Sequence, residues 1–393
     1  MMRILQVIAT FYPAWAFGGP VKVVYKLSEE LAKRGHEVEV YTTNAYDQTR
    51  DFEPKYKTQI MNGFRVTYFK NLIRPGKLFL SPEMIFALRK NMRKFDVVHT
   101  HFGRQAYDIA VNYYCRRYGV PYVLHVHGSL PRFVEKQKLK LIYDMFFGYR
   151  ILRGASKVIA LSRAEAVQFR NMGVPDERIT VIPNGIDLLE CANLPPKGSF
   201  KKKFGVENDK KMILYLGRIN ETKGIDFLVK AYAHLVKNMN YDNVVLVVAG
   251  PDDGYLGESK RLVASLKITD KAIFTGMLPE KEKVSAYVDS SIVVNVEPRN
   301  VFGLVPLEAA VCSTPVVVSK GNAVSDIIDR GKFGFSVNYG DINELARIMG
   351  KMLDDGVLLR EMGKNGRWFV SENFSWNRII TSFEKVYKEV IEN

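Results

Sequence analysis

Cysteine is scarce: Cys115, Cys191 and Cys312 are the only three in 393 residues, far apart and odd in number. No Cys-x-x-Cys pair and no Cys/His ligand spacing occurs, which excludes a disulfide-stapled scaffold and suits a reduced cytoplasmic protein. No apolar run approaches the roughly 18–20 residues a membrane span needs. The opening residues, Met-Met-Arg-Ile-Leu-Gln-Val-Ile-Ala, are too short for a signal peptide and too polar at Gln6, so they read as a first strand. There is no internal repeat, no low-complexity segment and no evident carboxylate pair of the glycosidase kind. Acid is also short in the first half. Residues 1–195 hold 29 Lys+Arg against 17 Asp+Glu, and so carry most of the net charge of +15. From Arg65 to Lys94 eight cations stand against the single acid Glu83, interleaved with Phe69, Leu72, Leu78, Phe79 and Leu80. A face of that kind attracts anionic lipid, nucleic acid or phosphorylated substrates, or is simply solvated.

What is present is ordinary soluble composition, 47% hydrophobic and 25% charged, in a chain long enough for two or three domains. A strand–loop–helix rhythm recurs. Ile4–Ala9 reads as a strand, FYPAWAFGGP as a loop, Val21–Arg34 as a helix stopped by Gly35, and Val38–Thr42 as a second strand. Residues 43–63 read as an irregular connection. Phe64–Phe69, Phe95–His99, Tyr122–Val126, Val158–Leu161 and Thr180–Ile182 follow as strands, and 132–153 as a helix with basic residues and an apolar girdle, either core or membrane-facing. A linker spans 191–205. A second series has strands at Met212–Leu216, Val244–Ala249, Ile273–Thr275, Ile292–Val296 and Pro315–Ser319, and helices at Asp341–Asp354 and the tail. This rhythm argues for parallel sheets with helices on both faces, where ligands bind at the carboxyl ends of strands.

Three groups of residues carry chemistry. Gly217-Arg218, then Lys223-Gly224, set two cations just after a strand. Arg218 offers a fork and Lys223 a point charge to a diphosphate whose negative charge grows as a bond breaks. The stretch EPRNVFGLVPLEAAVCSTP, Glu297 to Pro315, is a strand end, a turn at Phe302-Gly303 and a helix from Pro306 to Cys312. Glu308 lies in the first helical turns, where a carboxylate can take the two hydroxyls of a ribose. Four of the six histidines, His99, His101, His125 and His127, end two strands. They could be satisfied structural groups, hydroxyl-binding groups or, less simply, metal ligands, although no Cys, Asp or Glu accompanies them at ligand spacing.

Together these motifs resemble the retaining nucleotide-sugar glycosyltransferases of glycosyltransferase family 4. The fit lies in Phe302, Gly303, Leu304, Pro306, Leu307, Glu308, Ala309 and Thr314-Pro315-Val316-Val317, in the Gly-Arg and Lys-Gly element, in Pro183-Asn184-Gly185-Ile186-Asp187 and in Gly18-Gly19 after the first strand. The resemblance covers nearly the whole chain. It implies an α/β GT-B fold, two Rossmann-like domains with parallel sheets facing a central cleft. The domains would be 1–190 on the acceptor side and 206–373 on the donor side, with residues 374–393 as a helix crossing back to the first. It implies a donor site of Gly18, Gly19, Arg218, Lys223, Met277, Leu278, Asn300, Val301, Phe302, Gly303, Leu304 and Glu308, with His127 beside the transferred sugar. His127, Arg218, Lys223 and Asn300 would act in catalysis. The pattern departs at Asn300, eight positions before Glu308, where the family has a Glu near the reacting carbon.

The implied reaction is sugar transfer from a UDP or GDP sugar, with retention, to a glycan or lipid-linked acceptor. No metal and no cofactor is expected, since Arg and Lys neutralise the diphosphate. A cytoplasmic enzyme is expected, either free or held at the cytoplasmic face of an anionic membrane by the basic first half. Two alternatives stand beside it: another GT-B enzyme such as a sugar-nucleotide epimerase, or a non-catalytic nucleotide-sugar-binding subunit with Asn300 as the lost charge. Nucleic-acid binding would rest on charge alone, without a recognised motif.

Overall fold

The computed structural model describes residues 1–47, 49–73, 78–128, 130, 137–298 and 302–393. The chain divides into two compact units, Met1–Gly185 with Trp376–Asn393, and Ile186–Ser375. Residues 191–205, expected as a linker, belong to the second unit. Cys191, Phe200 and Val206 are buried in one of its apolar clusters, so hydrophobic burial overrides the prolines and lysines of that stretch.

Among the described residues the first unit holds an eight-stranded sheet. Its spatial order is Thr58–Met61, Phe64–Phe69, Glu37–Thr43, Arg3–Val7, Val97–His101, Tyr122–His125, Lys157–Ala160 and Ile179–Val181. All pairings are parallel except that of Thr58–Met61 with Phe64–Phe69. The antiparallel strand corrects the reading of 43–63 as wholly irregular. Its alternating exposure marks it as an edge, which a search for fully apolar runs passes over. The strand read as Phe95–His99 runs instead from Val97 to His101 and carries both histidines in the sheet.

The second unit's sheet has six parallel strands among the described residues: Ala272–Gly276, Val244–Ala249, Lys211–Leu216, Ile292–Asn295, Val316–Ser319 and Gly334–Val337. Val244–Ala249 is buried at all six positions, as expected for a strand covered by helices on both faces. Gly334–Val337 is a strand the sequence did not announce; it is short and half-buried.

Helix ends follow local chemistry. The Asp341 side chain accepts the Glu344 N–H at 2.9 Å to open Ile342–Asp354, and Gln105 with Asp108 forms a reciprocal cap on Ala106–Tyr118. The chain leaves the first unit at Gly185 and re-enters at Trp376, and a Cβ on Gly185 would strike the Trp376 indole. Glycine in the Pro-Asn-Gly-Ile-Asp element thus serves a close approach. The final helix, Trp376–Glu392, packs into the first unit. Glu384 pairs with Arg34 at 2.6 Å and His36 at 2.9 Å, and Tyr387 reaches His99.

Candidate active site

In the second unit, strand Lys211–Leu216 and its neighbour Val244–Ala249 end at Gly217 and Gly250. A Cβ on Gly250, at φ 149°, would collide with the Gly217 carbonyl oxygen, so the two backbones can converge here only with glycine. Just beyond, Ile219 and Asp252 form a parallel bridge. The Ile219 N–H donates to the Pro251 carbonyl at 2.9 Å, and the Asp253 N–H to the Ile219 carbonyl at 3.0 Å. That bridge sets Asp253 against Arg218, Oδ2 to guanidinium nitrogen at 2.6 Å, with the Arg218 side chain 47% exposed. Asn220 accepts from the Thr222 N–H at 3.0 Å to open the turn Glu221–Lys223, and donates to the Asp253 carbonyl at 3.0 Å. Lys223 Nζ meets Glu297 Oε2 at 2.7 Å, just past strand Ile292–Asn295. Both predicted cations therefore follow the carboxyl end of one strand, Lys211–Leu216, and each is held by a carboxylate that follows a neighbouring strand, Val244–Ala249 or Ile292–Asn295.

Asp253 and Glu297 had no assigned role in the sequence reading. Glu297 was visible in the motif stretch. Asp253 had no signal, because only the Ile219–Asp252 bridge brings it to Arg218.

Glu308 sits in the first turn of Val305–Val311, a helix shifted one residue from the expected Pro306–Cys312. Its Oε2 receives the Tyr287 hydroxyl at 2.8 Å and Lys283 Nζ at 3.1 Å. Among the described residues both side-chain contacts fall on Oε2. Burial, then the Glu308 charge, pushes the Tyr287 hydroxyl well above its ordinary range, which keeps it a donor. Phe302 and Leu304 pack half-buried against the apolar cluster that includes Leu307 and Val311, and Gly303 lies between them, half-buried. Leu278 packs on the same cluster, whereas Met277 is 74% exposed. Asn300 and Val301 lie outside the described residues.

In the first unit, Gly18 precedes helix Gly19–Lys33 with φ 87°; no protein atom crowds a Cβ built on Gly18 or Gly19. Packing within the chain therefore does not demand glycine at Gly19. The four strand-end histidines form one stack. His127, half-buried and in the left-handed region at φ 47°, has its ring centroid 3.8 Å from that of His125. Non-glycine residues held in this region concentrate at functional sites. Gln6 Oε1 accepts from His101 Nε2 at 2.8 Å, and His101 Nδ1 is 2.8 Å from His127 Nε2. A neutral imidazole has one N–H. With Nε2 donating to Gln6, His101 Nδ1 must accept, so His127 Nε2 is the donor and His127 Nδ1, itself buried, is left as an acceptor. His127 Nδ1 has no partner among the described residues.

Burial holds all four histidines below the ordinary imidazole range, His99 and His127 to about 3. Glu165, fully buried, braces the turn by accepting from Gly128 N–H at 2.9 Å and Leu161 N–H at 2.6 Å. Its carboxyl is pushed up to about 7 by burial, which outweighs the two N–H bonds.

Of His99, His101 and His125, read as satisfied structural groups, His101 has both ring nitrogens partnered and His99 has Nδ1 on the Tyr387 hydroxyl, but the reading needs correction at His125 and at His99 Nε2. Among the described residues neither nitrogen of His125 has a partner, nor does His99 Nε2. Ring nitrogens of His99, His101 and His125 lie within 4.8 Å of one another and could hold a metal ion. Doing so through His101 would break a bond to Gln6 or to His127.

Of the two readings of 132–153, core or membrane-facing, the core reading changes over 137–147. Residues 132–136 lie outside the description. Gln137–Tyr143 is an α-helix, Asp144–Gly148 a π-helical turn, and Tyr149–Gly154 α-helix again. Buried Asp144 takes Arg104 in a fork, at 2.9 and 3.0 Å, which fixes the π turn. Leu139, Leu141, Ile142, Met145, Phe146 and Phe147 are exposed. No helix among the described residues is long and apolar enough to cross a membrane.

Two α/β units with parallel sheets, and paired cations at the strand ends of the second, define the class: this is a GT-B glycosyltransferase fold. Two family models match in succession, Glycosyltransferase Family 4 over residues 17–189 and Glycosyl transferases group 1 over 196–369, and the chain belongs to these family 4-like glycosyltransferases. An uncharacterized glycosyltransferase of Methanocaldococcus jannaschii is 29% identical, with 97% of each chain covered. The D-inositol 3-phosphate glycosyltransferase of Thermobispora bispora is 25% identical over 95% of this chain and 90% of its own. Among solved structures, Anabaena HepE in complex with UDP superposes with a TM-score of 0.80 at 20% identity, over 99% of this chain and 100% of that one.

Proposed function

We propose that this glycosyltransferase takes its sugar from a nucleoside diphosphate and transfers it with retained anomeric configuration. The observation that carries the reading is the pair of strand-end cations, Arg218 on Asp253 and Lys223 on Glu297. Each carboxylate orients its cation before the substrate arrives, so little reorganisation is needed when a diphosphate takes the free N–H groups. As the glycosidic bond breaks, charge grows on the leaving phosphate and both contacts strengthen, which lowers the barrier. In this reading Glu308, tied down through Oε2 by Tyr287 and Lys283, offers Oε1 to the ribose. Val301, Phe302, Gly303 and Leu304 line the donor, Met277 and Leu278 lie near the base, and Asn300 meets the sugar as a neutral partner. His127 Nδ1 accepts from a sugar hydroxyl. Gly18 and Gly19 admit the diphosphate by backbone approach, consistent with a glycine at 19 that packing does not explain. The leaving phosphate can itself take the acceptor proton, so no second protein base is required. Neither metal nor cofactor enters this scheme. The solved complex of HepE with UDP supports a uridine donor by analogy of fold.

For the acceptor we propose a glycan or lipid-linked molecule at an anionic membrane face. Support comes from the exposed apolar residues of 137–147 beside Lys138, Lys140 and Arg150. The relative named for D-inositol 3-phosphate keeps a small soluble acceptor as the other reading. The test is release of nucleoside diphosphate from a panel of UDP and GDP sugars, with and without acceptor lipid extract. Binding of a nucleotide sugar, seen as a thermal shift, without any release would instead favour the non-catalytic subunit.

A further inference from the structure

Cys191 and Cys312 stand 121 residues apart in sequence, yet their Sγ atoms are 2.7 Å apart in the second unit. Cys191 ends the short 3-10 turn Leu188–Cys191, just after the chain enters the unit. Cys312 caps helix Val305–Val311, and its N–H donates to the Glu308 carbonyl at 3.3 Å. The first unit supplies an internal standard for sulfur contact: Cys115 Sγ and Met92 Sδ are 3.7 Å apart. The Cys191–Cys312 approach is far tighter than that, and only about 0.7 Å longer than a sulfur–sulfur bond of about 2.05 Å. Both side chains are buried, at 5% and 4% exposure, in one apolar cluster, so the backbone already holds them in bonding range. A path to the pair exists, since Cys312 lines a groove of about 510 Å³ with Lys197, Lys201, Ser313 and Thr314.

We propose that Cys191 and Cys312 form a reversible disulfide, a modification site that fastens the entry segment of the second unit to the helix presenting Glu308. The oxidant is a small-molecule disulfide, RSSR. One cysteine thiolate attacks it, the S–S bond of RSSR breaks, and a mixed disulfide forms with loss of one RSH. The second thiolate attacks the protein sulfur of that mixed disulfide, the Cys191–Cys312 bond forms, and a second RSH leaves. Two protein thiols lose two electrons, RSSR gains them, and the two thiol protons end on the two RSH. The hydrogen bond with the Cys191 thiol, and then burial, keep Cys312 protonated, so exchange is slow at neutral pH and accelerates as pH rises.

The test uses the full chain. Native protein is incubated overnight with oxidised glutathione at pH 8.5, then denatured, alkylated and mapped by mass spectrometry. The expected result is a cross-linked Cys191–Cys312 peptide, with Cys115 the one alkylated thiol; prior reduction restores all three. The oxidised form should unfold about 5–10 °C above the reduced form, because the bond closes a long loop in the unfolded chain. Cys191→Ser should abolish both the cross-link and the difference between oxidised and reduced unfolding. Three alkylatable thiols after oxidation, or glutathione adducts without the cross-link, would overturn the proposal. So would a cross-link that forms only under denaturing conditions. None of these readouts depends on the donor or the acceptor.

Discussion

Arg218 and Lys223 carry the heaviest demand of any single residues, because each is asked to meet charge that appears only as the bond breaks. Losing one charge-assisted donor at such a place costs at least about 2 kcal/mol of transition-state stabilisation, roughly thirtyfold in rate. Arg218→Ala and Lys223→Ala should each lower kcat/KM by that much while thermal unfolding stays close to wild type. Near-normal turnover in both would remove them from the site. His127 is a subtler case. The chain of contacts from Gln6 through His101 sets which nitrogen of His127 is left as an acceptor. His127→Ala should lose most activity with the fold intact, whereas His125→Ala should act mainly on stability. Gln6→Leu keeps every sugar-facing atom yet frees the His101 tautomer, so it should lower kcat and alter the pH–rate profile. Should Gln6→Leu match wild type in both, the relay has no bearing on turnover.

At the scale of elements, the segment 137–154 combines a fixed base with an outward apolar face. Arg104 and Asp144 anchor the π turn from within, and Leu139, Ile142, Met145 and Phe146 remain at the surface. Covering such a face with lipid removes apolar area from water, and each cation near an anionic bilayer adds about 1 kcal/mol. Vesicles containing anionic lipid should therefore bind the protein at low salt and release it as ionic strength rises. Reversing Lys90, Arg93 and Lys94 to Glu, or replacing Leu139 and Phe146 by Glu, should weaken sedimentation with vesicles and leave nucleotide-sugar binding unchanged. Absence of binding to anionic vesicles at low salt would favour a small soluble acceptor.

For the whole molecule, the buried titratable groups of the first unit make its stability depend on pH. His99, His101 and His125 are fully buried and held below the ordinary value of about 6.5. Below that pH the unfolded chain takes up protons that the folded unit refuses, so folding loses stability as pH falls toward each depressed value. Asp108 and Glu165 act in the opposite sense. Each is pushed up to about 7 by burial, so each is protonated first in the folded unit and adds stability as pH falls from about 7 toward 4. Three histidines against two carboxyl groups leave a net loss of about 1.4 kcal/mol per pH unit below about 6.5, with half-buried His127 adding a smaller share. Urea unfolding at pH 7, 6 and 5 should show the first-unit midpoint dropping in that order. A flat or rising midpoint would mean that water reaches the histidine stack and restores ordinary values.

By itself the sequence determined the class of fold, the two series of strand and helix, the places of Arg218, Lys223 and His127 just after strands, and that of Glu308 in the first turn of a helix. These follow from local causes: apolar runs of strand length, caps, and glycines next to cations, all read within a few residues. It did not determine which groups meet across long separations. Asp253 reaches Arg218 only through a two-residue bridge between strand ends, and Gln6 reaches His127 only through His101 on a neighbouring strand. Tyr387 joins His99 from the far end of the chain. Cys191 and Cys312, read as distant and unrelated, come into contact because a 3-10 turn and a helix end are buried in one cluster. The apolar girdle at 137–147 looked the same whether core or surface, since periodicity fixes which residues share a face but not what covers it. Tertiary packing decided that.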